Sequence, residues 1–149
     1  MDRTFRGIIA GIAGGISMQV WDLFSYYFLK FGTFRYLDWA AMMLYGEPPE
    51  NFYETIVSLA TQIIWAGFLG TFFAFVIPKI STRGYLLKGA FYGFITFFII
   101  YAIPVLFQVP HLKITGPNTQ FTHLIGSLIY GTVTALTLHW LDITFNIKN

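Results

Sequence analysis

The sequence predicts an all-α integral membrane protein: a four-transmembrane-helix bundle from two tandem helical hairpins, with a short interfacial helix in the first outer loop. Three observations predict it. Four stretches stay apolar over about 20 residues, the length needed to cross roughly 30 Å of hydrocarbon. Only 11% of the 149 residues are charged, against about a quarter in an ordinary soluble domain. Small residues recur every four positions in each stretch, a pattern that lets helices approach closely in lipid.

The first span covers about residues 7–29 and contains "RGIIAGIAGGISMQVWD". Arg3 and Arg6 precede it, as in a signal peptide. The apolar run exceeds the roughly 7–15 residues of a signal core and no Ala-x-Ala site follows, so it reads as a retained span. The segment "FRYLDWAAMMLY" has apolar residues at 34, 37, 41, 44 and 45, which is helical spacing. It is too short to span and carries Tyr36, Trp39 and Tyr45, residue types that favour the lipid–water boundary. The reading is an interfacial helix over about 34–45, ended by Gly46 and Pro48-Pro49. It caps the bundle or, in the sharper alternative, forms a lid over a cavity.

The second span covers about 55–77 and stops at Pro78, and "KISTRG" (79–84) reads as a tight hairpin. The third covers about 85–107, with Pro104 set to kink or stop it. A loop with two prolines and a glycine fills 108–120, and the fourth span covers about 121–140.

Lys and Arg orient the bundle. Arg3, Arg6, Lys79, Arg83, Lys88 and Lys148 fall on one side, and Lys30, Arg35 and Lys113 on the other. Both termini are therefore expected in the cytoplasm. The spans also echo one another. "RGIIAG" (6–11) compares with "KGAFYG" (88–93), and "QIIWAGFLGT" (62–71) with "HLIGSLIYGT" (123–132). The pattern is one two-helix unit written twice, with the surface helix added to the first copy. Two copies of a hairpin insert the same way up.

Gly7, Gly11 and Gly15 form one groove on the first span, Gly89 and Gly93 another on the third. Ala66 and Gly70 serve the second span, Ser127 and Gly131 the fourth. The groove of the first span packs either inside the bundle or against a second copy in a homodimer. Asp22 follows Gly11, Gly15 and Met18 at helical spacing, so it faces protein rather than lipid. An ionised carboxylate at that depth costs on the order of 2.5–3.5 kcal/mol. Gln62, Tyr101 and His123 fall at similar depth, with Gln19 one turn deeper, so Asp22, Gln62, Tyr101 and His123 are expected to converge. Such a cluster either fixes helix register through hydrogen bonds or forms a proton-titratable site. His139 and Asp142 read as an anchor at the opposite end, and His111 as a loop residue.

Several function classes find no support. The chain has no cysteine, so thiol chemistry is excluded. No HExxH, phosphate-binding glycine loop or Ser–His–Asp arrangement is present. No cofactor or metal is expected. The net charge of +2 gives no reason to expect a nucleic-acid partner.

Four further motifs carry a resemblance: "GIIAGIAGG", the long first outer loop, "LLKGAFYG" and "PNTQFTHLIGSLIYG". In layout the chain resembles small bacterial four-helix membrane proteins of the YqhR family and, more loosely, the YagU family. The resemblance implies a bacterial inner-membrane protein and no particular activity. The expected function is a non-enzymatic, self-associating bundle that binds lipid or a membrane partner. The alternative is a small transporter or channel with a titratable polar site in its outer half.

Overall fold

The fold is described by a computed structural model covering residues 2–77, 84–109, 112 and 115–146. Its helices are α1 (Arg3–Phe24), α2 (Tyr36–Tyr45), α3 (Phe52–Val76), α4 (Tyr85–Leu106) and α5 (Pro117–Asn146). α1 runs on through a π-helical turn, Ser25–Leu29. With that turn included, α1, α3, α4 and α5 are long and apolar enough to cross a membrane. Residues 79–83 of the expected hairpin, His111 and Lys113 lie outside the described residues.

Local chemistry sets the boundaries. Asp2 caps α1, its carboxylate accepting the Arg3 N–H at 2.7 Å. Lys30 closes the π-turn in the left-handed region, at φ 51°. Asn51 caps α3 by accepting the Glu54 N–H at 2.9 Å, and Glu54 accepts in return from the Asn51 amide at 2.7 Å. Pro104 lacks an N–H, and α4 ends two residues beyond it at Leu106. α5 extends past the expected 121–140 at both ends. Pro117 opens it, because a fixed φ and a missing N–H suit a first helical position.

α1 packs along α3 and α5, α4 packs along α5, and α2 rests on α3. Glycine backbones lie at these contacts. A Cβ on Gly7 would meet the Thr71 backbone at 2.7 Å, and one on Gly11 the Gly70 backbone at 2.8 Å. One on Gly15 would meet the Ala66 side chain at 2.5 Å. The Gly7–Gly15 groove is thus filled by α3 of the same chain, which removes that face from a homodimer contact. Gly14, which the sequence reading passed over, lies against Tyr130 and Thr134 of α5.

α3 and α4 meet chiefly near the chain termini. There Tyr92 donates to the Leu69 carbonyl at 2.7 Å and packs on Phe73 with ring centroids 4.7 Å apart. Toward the α2 end a crevice lies between the two helices, lined by Trp65 and Leu69 of α3 and by Ile99 and Ile103 of α4. The termini end is tied by Arg3 Nε to the Ala74 carbonyl, 2.7 Å, and by the Arg6–Asp142 ion pair, 2.6 Å. Tyr85 stacks on His139 beside them, at 4.2 Å. The ion pair is half-buried, so Arg6→Met is expected to lower stability by about 1 kcal/mol or less, measured by thermal unfolding in detergent.

Candidate functional site

Two features at the α2 end hold the chemistry: a buried hydrogen-bonded cluster and an apolar crevice.

The cluster begins with how α2 is held. Asp38 accepts from the Arg35 backbone N–H at 2.7 Å and pairs with its guanidinium at 2.7 Å, fixing the first turn of α2. Burial works against the Arg35 charge and the Asp38 carboxylate outweighs it, so the guanidinium pKa stands above its ordinary value. Arg35 therefore stays charged throughout the working pH range. Gly46 ends α2 at φ 81°, a conformation that glycine adopts freely. Between these caps α2 turns inward: Tyr36, Leu37, Asp38, Trp39, Ala41 and Met42 are all buried. Of the three aromatic residues expected at a boundary, Tyr36 and Trp39 are buried against the rest of the protein and only Tyr45 is exposed. The cause is tertiary, because polar groups of α1 and α5 take up the start of α2.

Asp22 of α1 accepts the Tyr36 backbone N–H at 2.7 Å, one of the free donors of the first turn of α2. The Tyr36 hydroxyl donates to the His123 carbonyl at 2.6 Å, so the Ser127 hydroxyl, also at 2.6 Å, donates to the phenol oxygen. Burial, ahead of any other cause, pushes the Tyr36 phenol well above its ordinary pKa and keeps it a donor. His123 is fully buried and stacks on Tyr36 with centroids 4.2 Å apart. Its Nε2 lies 3.1 Å from the Phe34 carbonyl and 3.5 Å from Asp22 Oδ1. Both are acceptors, so Nε2 carries the proton. Nδ1 lies 2.8 Å from the Tyr101 hydroxyl, which donates to it in the tautomer protonated on Nε2 alone. Thr33 N–H to Thr119 Oγ1, 2.9 Å, and Trp21 Nε1 to the Thr122 carbonyl, 3.0 Å, complete the attachment.

Of the expected cluster, Asp22, His123 and Tyr101 come together. Gln62 and Gln19 do not join it: both are buried and neither amide bonds to these groups. Asp22 turns toward α2 and α5, whereas the glycine face of α1 turns toward α3. Sequence reasoning missed Tyr36, Phe34 and the hydroxyl of Ser127. Tyr36 carried a visible signal, an aromatic with a polar tip on the helix nearest in sequence to Asp22. That signal fits a membrane boundary equally well.

The crevice lies between α3 and α4 and is covered by α2. Its volume is about 400 Å³ and its walls are almost wholly carbon. Trp39 and Met43 of α2 form its roof, Ala66 and Leu69 one wall, Ile100 and Ile103 the other. The volume lies within the range of small-molecule pockets. Among the described residues no group of three His, Cys, Asp or Glu side chains could hold a metal ion. Comparison of the chain with protein-family models, curated proteins and solved structures yields no match.

Proposed function

We propose that this chain is a non-enzymatic bacterial inner-membrane protein that binds a membrane lipid through an apolar chain lodged between α3 and α4. In this reading α1–α3 and α4–α5 are two hairpins inserted the same way up, with the termini cytoplasmic and α2 at the outer face. The crevice is the observation that carries the reading. Its carbon walls suit hydrocarbon and offer few partners to a polar substrate. Trp65 and Ile99 line it and are exposed on the outside of α3 and α4, which suits an acyl or isoprenoid chain entering sideways from the bilayer. At about 30 Å³ for each water-sized group, the volume of 400 Å³ accommodates roughly a dozen carbons.

The outward surfaces support the membrane setting. Phe68, Phe72, Phe91, Phe98 and Ile64 are exposed on α3 and α4, an arrangement expensive in water and favourable in lipid. The buried cluster supports a binding role over a transporting one. Asp22 and His123 both hold the α2 segment, so a proton-coupled transporter would have to release α2 in each cycle.

The test is lipid content. Protein purified in mild detergent is extracted and its lipids identified by mass spectrometry, beside Ala40→Trp and Thr61→Trp, which fill the crevice. The expected result is a lipid near one per chain in the parent and its loss in both variants with melting retained. Equal lipid in parent and filled variants would overturn the reading.

A further inference from the structure

A second set of buried polar side chains lies along α1 and α3, next to Asp22, and the attachment of α2 uses none of it beyond Asp22 itself. The glycine contacts set the antiparallel register of these helices, with Gly11 against Gly70 and Gly15 against Ala66. One turn further toward α2 this register brings Gln19 level with Gln62, and the next turn brings Asp22 level with Ser58. All four side chains are more than nine-tenths buried. Both amide atoms of Gln19, both of Gln62 and the Ser58 hydroxyl have no hydrogen-bond partner among the described residues. Gln62 also contributes to the crevice wall, while both of its amide atoms are buried.

Buried polar groups in native proteins are nearly always paired. Five orphans along one short seam would consume much of the net stability of a domain this size. We infer that this seam is an internal hydration site. Water bridges Gln19, Gln62 and Ser58 and carries hydrogen bonds on to the Asp22 carboxylate. The chemistry of the orphans selects the guest. Each amide offers N–H donors and a carbonyl acceptor, and the hydroxyl offers one of each, so the guest must both donate and accept. Water does so, and buried water usually makes about three such bonds. A monovalent cation would satisfy the oxygens and leave both NH₂ groups unmet. An apolar chain would satisfy none. Asp22 has capacity to spare, since Tyr36 N–H supplies its one short bond and His123 a long contact.

The inference does not depend on lipid binding, and its signature is coupling at a distance. Gln62 and Asp22 share no direct hydrogen bond, yet shared water links their energies. A double-mutant cycle of Gln62→Leu and Asp22→Asn, read by melting in detergent, is the test. Gln62→Leu should lower Tm more in the parent than in the Asp22→Asn background, by roughly 2–8 °C. Additive shifts would overturn the inference. Should Asp22→Asn fail to fold, a high-resolution density map of the unaltered protein decides. Water within hydrogen-bond distance of both amides supports the site. A dry Gln19–Gln62 contact, or a single ion held by the oxygens alone, overturns it. Ala40→Trp should empty the crevice of lipid and leave the cycle unchanged.

Discussion

Gly93→Ala is expected to destabilise the protein by about 3 kcal/mol or more, a very large effect for one methyl group. The added Cβ would fall on the Ser127 carbonyl of α5, and one turn away a Cβ on Gly89 would meet the Gly131 carbonyl at 2.5 Å. These obstacles are backbone atoms, which no rotamer change can clear, so α4 must move off α5. The separation propagates, because Ser127 also donates to Tyr36 and Tyr92 of α4 bonds to α3. Two other glycines act as controls. Gly116 has open space and no left-handed requirement, so Gly116→Ala should be neutral or slightly stabilising. Gly46 also has open space but sits at φ 81°, so Gly46→Ala should cost about 1 kcal/mol. Thermal unfolding in detergent ranks the three. Equal melting of Gly93→Ala and Gly116→Ala would contradict the close-approach account.

Asp22→Leu is expected to release α2. The substitution leaves the buried Tyr36 N–H without an acceptor and removes the carboxylate facing His123. Leaving a buried donor unsatisfied costs roughly 1–3 kcal/mol. The loss should be local first, since Tyr36, Trp39 and Met42 of α2 are buried only while α2 is seated. Hydrogen exchange over residues 36–45 should accelerate strongly, while exchange along α5 beyond Ser127 changes little. Asp22→Asn keeps a carbonyl oxygen for the Tyr36 N–H and should leave α2 in place. Unchanged protection of α2 in Asp22→Leu would show that its seat is set by packing alone.

These two expectations mark what the sequence could and could not say. The four long helices were legible because twenty apolar residues in a row admit few alternatives. Of their boundaries, the end of α4 was legible in Pro104; the caps Asp2 and Asn51 were passed over, and α5 runs past 121–140 at both ends. The neighbour of each glycine face was not legible, since the spacing of Gly7, Gly11 and Gly15 is the same whether α3 or another chain fills the groove. Asp22, His123 and Tyr101 could be matched by depth along their helices. Gln62 lay at that depth too, but it belongs to the seam behind Asp22, and depth carries no information about direction around a helix axis. α2 was recognised as a helix, and its burial was not. Tyr36 and Trp39 are amphipathic, and the same side chain serves a lipid boundary or a buried hydrogen bond. The crevice was foreshadowed only by the alternative of α2 as a lid over a cavity; its walls on α3 and α4 were not legible, because periodicity does not say how far two helices stand apart.

The central claim is that the chain crosses the bilayer four times, with α2 on the face opposite the termini. The chain has no cysteine, so single cysteines placed at Asp2, Glu47 and Gly116 report without background. The decisive measurement is labelling of these three variants in sealed inner-membrane vesicles and in intact spheroplasts with a membrane-impermeant maleimide. The account predicts that Glu47→Cys and Gly116→Cys react from the outer side, and Asp2→Cys only from the cytoplasmic side. Reaction of Asp2→Cys and Glu47→Cys from the same side would contradict it.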